Sequence, residues 1–170
     1  FDYNQLDLAA ISKSQYLYVE GYMVTGDANF NTVCQMLENA RSHNVGNVLS
    51  LSDPWVAATF KPQLEKLTEY GIDLIFCNND EAMAFTGTDT LEKALIELKH
   101  FTKRYAVTCG AQGAVLFDGK NTFTIAGKEV AVVDTNGAGD IFAGTFLNKW
   151  IKGATFQEAG EFANYAASRL

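Results

Sequence analysis

Residues 133–140 read VDTNGAGD and stand between two segments of opposite character. The apolar stretch 130–133 leads into them and is typical of a buried strand. The stretch 141–147 follows with the composition of a helix. Because ligands of α/β sheets bind beyond the carboxyl ends of the strands, this strand–turn–helix junction is a candidate ligand site.

Small residues and one carboxylate give this junction its chemistry. Gly137, Ala138 and Gly139 let a backbone approach a ligand closely and leave N–H groups at a helix start, which favours an anion. Asp140 would repel an anion at rest, but it is suited to accept a proton from a hydroxyl that then attacks a phosphate. The plain alternative is a glycine turn with an aspartate cap. The polar pair before the turn and the strand–turn–helix context favour the phosphate interpretation.

The same run resembles the C-terminal signature of the ribokinase-like carbohydrate and nucleoside kinases, the PfkB family. That signature is an Asp-Thr pair, one variable residue and Gly-Ala-Gly-Asp, and Asn136 occupies the variable place here. The resemblance implies that Asp140 is the catalytic base and that Gly137–Gly139 form the anion hole for the transferred phosphoryl group. It also implies that Asp134 and Thr135 help to hold a monovalent cation, K⁺.

A second strand–helix junction lies at residues 72–82. Asn78 and Glu81 are three residues apart, near a helix expected to begin at Asn79 or Asp80. A carboxylate and an amide at this place suit a hydrated Mg²⁺, which keeps several waters. A simple helix cap with a glutamate in the first turn is the alternative. PfkB kinases have an Asn-x-x-Glu motif here, so the resemblance implies that Asn78 and Glu81 act on Mg²⁺ through water.

A third segment consists of two apolar strands around a Gly-x-x-Gly turn. In PfkB kinases a Thr-x-Gly-x-x-Gly stretch lines the ATP site, and the resemblance implies that role for Thr108, Gly110 and Gly113. Glycines that any hairpin needs are the alternative. Cys109 lies between the motif residues and is expected to be a small buried residue.

Residues 162–168 resemble the Ala-Asn-Ala-Ala helix that borders the adenine in the same family. The resemblance implies that Asn164 contributes to the nucleotide site. A face of small residues packed on a sheet is the alternative for the other positions.

Apolar strands and amphipathic helices alternate along the chain, which predicts a parallel sheet with helices on its faces. Asp53, Asn78, Thr108 and Asp140 then follow strand ends at one edge of the sheet, where one shared site is expected. The predicted strands are 16–19, 45–51, 74–77, 105–109, 113–117, 121–125 and 130–133, and the predicted helices are 29–44, 61–70, 81–85, 90–102, 140–152 and 155–168.

Composition excludes several classes of protein. The net charge of −7 and the pI of about 4.7 argue against a nucleic-acid binder, which needs a basic surface. No apolar run approaches the roughly 20 residues that span a bilayer, and no signal peptide is evident, so a cytoplasmic protein is expected. The widely spaced Cys34, Cys77 and Cys109 predict reduced core residues and no metal centre or disulfide framework. His43 and His100 are expected at the surface.

The resemblance also bears on the extent of the fold. It implies a three-layer α/β/α, ribokinase-like fold with a mostly parallel central sheet, of which residues 1–170 form the C-terminal part of a single kinase domain. PfkB kinases carry a Gly-Gly motif and a small β lid in their N-terminal half, and this sequence shows neither, so that half and the lid are expected to be absent. Residues 18–22 and 49–54 resemble the adenosine-kinase-like branch.

The function implied is ATP-dependent transfer of a phosphoryl group, with Mg²⁺, to a hydroxyl of a nucleoside (adenosine) or a sugar. A flavin- or nicotinamide-binding Rossmann domain would carry G-x-G-x-x-G after its first strand, and this chain lacks that motif. A non-catalytic nucleotide-binding fragment or scaffold of the same fold would be expected to lose Asp140 or the glycines, and both are kept. The piece alone is expected to be poorly active, and its exposed sheet edge to favour homo-oligomers.

Overall fold

The computed structural model describes residues 6–127 and 137–169, and its six strands form one sheet. The strands are β1 (Tyr16–Glu20), β2 (Gly46–Ser50), β3 (Ile72–Asn78), β4 (Tyr105–Thr108), β5 (Gly113–Phe117) and β6 (Thr122–Ala126). Their order across the sheet equals their order in the chain. β1 and β2 pair in parallel, whereas β4, β5 and β6 form an antiparallel meander.

Helices lie between the first four strands, as a parallel arrangement of neighbouring strands requires. The α-helices are α1 (Leu8–Ser12), α2 (Asp27–Ser42), α3 (Pro54–Thr59), α4 (Lys61–Thr68), α5 (Asn79–Thr86), α6 (Leu91–Glu97), α7 (Ala138–Ile151) and α8 (Phe156–Ala167). Short 3₁₀ turns occupy Gly21–Thr25, Leu98–His100 and Gly110–Gln112. None of the helices in the described ranges is long and apolar enough to cross a membrane.

The chain divides into two compact units, residues 1–75 with 80–103 and residues 76–79 with 104–170. In the first unit, α2 buries Val33, Leu37 and Ala40. Their spacing of three and four residues places them on one helix face, which explains why this sequence forms an amphipathic helix. The prediction of a single domain for residues 1–170 stays a prediction.

Aromatic side chains form the core of the second unit. The Phe146 ring of α7 lies 4.8 Å from the Phe156 ring of α8 and 5.4 Å from the Phe76 ring of β3. Trp150 continues the cluster at 5.4 Å from Phe156, and the Arg104 guanidinium lies 5.4 Å above the Trp150 ring. Such edge-to-face and cation–π contacts add to the free energy gained from burial, so this cluster fixes the two closing helices on each other.

Most predicted elements are confirmed within a few residues, but the predicted helix 90–102 is too long, and α1 and α3 are not among the predicted helices. The predicted helix 90–102 ends at Glu97 and passes into a 3₁₀ turn. Thr102 has left the helix, and its hydroxyl donates to the Ile72 carbonyl at 3.2 Å in a buried position. Ser52, Asp53 and Pro54 break the extended chain after β2, and α3, which is not among the predicted helices, begins there.

Two features explain why α3 begins at that break. The Asp53 carboxylate accepts hydrogen bonds from the N–H groups of Trp55 at 2.7 Å and Val56 at 3.3 Å, as an N-cap. Pro54 stands at the first helical position, where its missing N–H costs nothing. The predicted strand 130–133 lies outside the described residues.

Tyr105 makes the free energy of unfolding depend on pH in the alkaline range. The side chain is 1% exposed, and burial, together with Cys77 nearby, raises its pKa to about 12. An unfolded tyrosine ionises near pH 10, so between pH 10 and 12 the folded state holds the proton more tightly than the unfolded state. The free energy of unfolding is therefore expected to fall with rising pH in this window, by about 1.4 kcal/mol per pH unit for this group.

Tyr105→Phe is expected to remove that contribution, so that its unfolding free energy falls less steeply between about pH 10 and about pH 12 than that of the parent. Urea unfolding at several pH values measures the slope. Tyr165→Phe, at a tyrosine that is 45% exposed, is the control and should retain the parental slope. Equal slopes for the parent and Tyr105→Phe would contradict the assignment.

Candidate functional site

The helix α7 begins at a glycine turn. Gly137 is its N-cap and has a φ of +80°, a left-handed conformation that side-chain-bearing residues rarely adopt. The Ile141 N–H donates to the Gly137 carbonyl at 2.9 Å and so opens the helical hydrogen-bond ladder. The backbone N–H groups that precede Ile141 lie in the first turn of α7, and the helix offers them no carbonyl partner. The positive end of this 14-residue helix therefore lies at Gly137, and no side chain in the described ranges caps it.

Gly139 has no structural requirement for being glycine. Its φ is not left-handed, and a Cβ at this position would meet no described atom within 4 Å. Glycine inside a helix costs about 1 kcal/mol relative to alanine. Gly144, one and a half turns later in α7, has the same properties. Among the described residues, nothing fills the place of a side chain at Gly139 in the first turn of α7.

Asp140 lies in the first turn of α7 and is exposed. The open turn and this carboxylate share the N-terminal end of one helix. An anion held by the first-turn N–H groups would therefore lie beside a solvent-accessible proton acceptor.

The Thr-x-Gly-x-x-Gly segment joins β4 to β5 through the 3₁₀ turn Gly110–Gln112. Thr108 ends β4, and its hydroxyl makes a long 3.5 Å contact to the Cys77 carbonyl of β3. Gly110 has a φ of +55°, a left-handed conformation that favours glycine, and a Cβ there would meet no described atom within 4 Å. Gly113 has a φ of +97°, and a Cβ there would lie 2.0 Å from the Ile125 carbonyl oxygen. The hairpin therefore accounts for both glycines, without excluding a ligand at the turn.

Asn164 is half-buried on α8, and its side-chain amide donates to the Ala126 carbonyl at 2.9 Å. The neighbouring small residues Ala159, Gly160 and Ala163 are buried, and a Cβ on Gly160 would lie 2.2 Å from a Leu116 methyl group of β5. These small residues therefore serve the packing of α8 on the sheet.

Asn78 is the last residue of β3, and α5 begins at Asn79, as predicted. Asn78 is half-buried and belongs to the second unit. Glu81 lies in the first turn of α5, belongs to the first unit and is 7% exposed. A carboxylate so deeply buried requires polar partners or a cation.

The comparisons with known proteins agree with one another. Residues 2–169 match the family model described as pfkB family carbohydrate kinase. The chain belongs to this family. It is 30% identical to adenosine kinase 1 of Arabidopsis thaliana in an alignment 175 residues long, which covers 94% of this chain and 50% of that protein. The crystal structure of adenosine kinase from Sinorhizobium meliloti matches with a TM-score of 0.93 and 27% identity, covering 98% of this chain and 52% of that chain.

These matches confirm the predicted family and its similarity to adenosine kinases. A protein described as ribokinase II, from E. coli, matches with a TM-score of 0.87 over 98% of this chain and 55% of that chain. At 18% identity this likeness shows the fold alone. The three-layer α/β/α, ribokinase-like fold with a mostly parallel sheet is thereby confirmed. The pfkB chain spans about half the length of the relatives it matches.

Some predicted site residues of this pfkB chain lie outside the described residues, and one of the others has a structural role. Asp134 and Thr135 lie outside the described residues, so the monovalent-cation site stays a prediction. Asp53 follows β2 as predicted, but its carboxylate serves as the N-cap of α3. Across residues 6–127 and 137–169, no group of three His, Cys, Asp or Glu side chains is arranged to hold a metal ion. A Mg²⁺ held through waters and phosphates does not need such a group.

The cysteines and histidines are not among the predicted site residues, although Cys109 lies within the Thr-x-Gly-x-x-Gly segment. Cys34, Cys77 and Cys109 are reduced thiols, and of the three only Cys77 is buried. The prediction that Cys109 is buried is wrong, because the residue lies at the half-exposed entrance of the 3₁₀ turn. Desolvation still raises the pKa of the Cys109 thiol, which makes it a poor nucleophile at neutral pH. His43 and His100 are exposed, as predicted.

Sequence reasoning missed a polar cluster at the carboxyl ends of β1 and β2. Ser52 has a φ of +68°, although it is not glycine. Its hydroxyl accepts from the Gly21 N–H at 2.8 Å and donates to a Glu20 carboxylate oxygen at 2.9 Å, and its own N–H donates to the Ser50 hydroxyl at 3.2 Å. These bonds fix the turn that precedes Trp55, a side chain that is 63% exposed. Nothing in the spacing of these residues indicated the cluster.

Proposed function

We propose that the complete protein containing this chain is an ATP-dependent kinase that phosphorylates a hydroxyl of a nucleoside, adenosine, or of a sugar. Membership of the pfkB carbohydrate kinase family supports the class of reaction. Similarity to proteins named adenosine kinase supports a nucleoside acceptor. In both acceptors the nucleophile is a hydroxyl group of a sugar ring or of its substituent carbon, so the proposed chemistry is the same for both.

One observation carries the proposal: α7 begins at Gly137, where no described side chain caps the first turn, and Asp140 is exposed within that turn. The N–H groups there supply positive charge where negative charge develops on the transferred phosphoryl group. The open space at Gly139 lets that group approach the backbone. Gly137, Ala138 and Gly139 are therefore proposed as the anion hole.

Asp140 is proposed as the base. The acceptor hydroxyl gives its proton to an Asp140 carboxylate oxygen while its own oxygen bonds to the γ-phosphorus of ATP. The bond from that phosphorus to the β–γ bridging oxygen breaks, and ADP leaves. Phosphoryl transfer depends mainly on positioning and charge stabilisation, and the helix start offers both.

The remaining predicted residues are proposed to hold the nucleotide and its ions. Thr108, Gly110 and Gly113 would line the ATP site at the β4–β5 turn. Asn78 and Glu81 offer an amide and a carboxylate oxygen, which fit Mg²⁺ held through water. When bound, Mg²⁺ neutralises charge on the phosphates. Asp134 and Thr135 are proposed for K⁺.

Asp140→Asn in the complete protein is expected to lower the turnover number by about 10²- to 10⁴-fold, because a positioned base contributes about that much. The nucleotide dissociation constant should change little. A coupled assay of ADP release, with adenosine and then with sugars as acceptors, measures the first quantity, and calorimetry measures the second. Asp27→Asn, at an exposed aspartate in the first turn of α2, is the matched control and should keep parental turnover.

Turnover of Asp140→Asn near the parental value would contradict the base assignment. A parent that binds ATP but phosphorylates no nucleoside or sugar would support the non-catalytic alternative instead.

Gly139→Ala and Gly144→Ala form a second test, within one helix. Both substitutions replace a helical glycine that has open space around it, so both are expected to raise the unfolding free energy by up to about 1 kcal/mol. Only Gly139→Ala should lower turnover, because only its methyl group would enter the proposed anion hole. Thermal unfolding and the ADP-release assay measure the two effects. Equal turnover of the two variants would remove Gly139 from the site.

Glu81→Gln tests the metal proposal. The variant is expected to need a several-fold higher Mg²⁺ concentration for half-maximal turnover, because a neutral amide attracts a hydrated cation less than a carboxylate does. A titration of initial rate against Mg²⁺ at fixed ATP measures this. Glu92→Gln, at an exposed glutamate in the first turn of α6, is the control. If the Glu81→Gln titration overlays that of the parent, Glu81 does not act on Mg²⁺ and is only part of the helix cap of α5.

A further inference from the structure

We propose that Asn164 is a positioning residue for the nucleotide turn, which we define as Gly110–Gln112. On this proposal Asn164 holds the end of β6, and the end of β6 holds the turn. The consequence for nucleotide affinity rests on the proposed function.

The first step in this chain of contacts joins α8 to β6. The Asn164 side-chain amide donates to the Ala126 carbonyl at 2.9 Å, across 38 residues of sequence. Ala126 is the last residue of β6 and pairs with Gly113, the first residue of β5. The hydrogen bond therefore fixes the strand end at the point where the nucleotide turn enters the sheet.

The second step joins the strand end to the turn itself. The Gly127 N–H donates to the Gln112 carbonyl at 3.1 Å. A Cβ on Gly127 would lie 1.8 Å from the Ala111 carbonyl oxygen, so the two backbones are in direct contact. Because Gly127 follows Ala126 directly, a shift of the Ala126 carbonyl moves the residue on which the turn rests.

Within residues 6–127 and 137–169, little else holds the turn. Its three residues are all exposed, so no buried side chain anchors it. Its other described backbone bonds are local: the Gln112 N–H donates to the Cys109 carbonyl at 3.1 Å, and the Gly113 N–H donates to the Gly110 carbonyl. The Cys109 N–H donates to the Gly113 carbonyl at 2.8 Å and closes the base of the turn. Segments held by few buried contacts open at low free-energy cost, so a single amide hydrogen bond is enough to alter the turn.

This role differs from direct contact with a base. An asparagine that reads adenine would discriminate between adenine and guanine nucleotides. An asparagine that positions the turn affects every ligand that the turn binds, whatever its base. The two roles therefore differ in a measurable way.

The test uses the complete protein, with Asn164→Ala and the isosteric Asn164→Asp, which replaces the donor by an acceptor. Gln157→Ala is the matched control, since the Gln157 amide also lies on α8 but bonds to Glu161 of the same helix at 2.9 Å. Amide hydrogen exchange without nucleotide reports the Gly127 N–H and the nucleotide turn. Calorimetry gives dissociation constants for ADP, GDP and inorganic triphosphate.

Both Asn164 variants are expected to exchange faster at Gly127 and across the turn than the parent and Gln157→Ala. They are expected to bind all three ligands more weakly by a similar factor, roughly 2- to 10-fold, which corresponds to one lost hydrogen bond. Unchanged exchange would overturn the proposal, and so would weakening confined to ADP, which would indicate a base contact. If the parent binds none of the ligands, the proposed function fails, and exchange at Gly127 alone then upholds or overturns the link from Asn164 to the turn.

Discussion

The second unit depends on a backbone contact that tolerates no side chain. A Cβ on Gly113 or Gly127 would lie 2.0 Å or less from a carbonyl oxygen of the opposing segment. The β5–β6 hairpin and the turn that enters it can therefore close only if both positions are glycine. Once they close, Ala126 comes within reach of α8, and the aromatic cluster around Phe146 fixes α8 against α7. The start of α7, with its glycines and Asp140, thus belongs to the same packed unit as the turn proposed to bind nucleotide.

The first unit shows how a parallel sheet presents polar groups at its carboxyl edge. β1 and β2 run in parallel, so Glu20 and Ser50 end side by side. A Cβ on Gly21 would lie 2.7 Å from the Leu51 carbonyl oxygen, which brings the chain close enough for Ser52 to bond to Glu20. A serine in the left-handed region is unfavourable, and its hydrogen bonds offset that cost. The turn before α3 is therefore held by bonds that need both strands in place.

Most of the fold could be predicted from the sequence, because the patterns that indicate its strands and helices are local. Apolar runs, helical spacing and glycine turns locate the strands and most helices, and the VDTNGAGD run identifies the family. The polar cluster at Ser52 was not readable, because it joins residues about thirty positions apart whose proximity follows from the pairing of β1 with β2. The role of the Asn164 amide was not readable for the same reason. A motif indicates that a residue matters, but only the fold shows which atom it contacts. For Asp134 and Thr135 the opposite holds: the motif is clear, but the residues lie outside the described ranges.

The two tryptophans differ in environment, one in each compact unit. Trp55 is 63% exposed, whereas Trp150 lies within the aromatic cluster beneath Arg104. Indole emission shifts to longer wavelength in water and to shorter wavelength in apolar surroundings. The protein therefore carries one indole fluorophore in each compact unit, in different surroundings, and needs no added label to report on them.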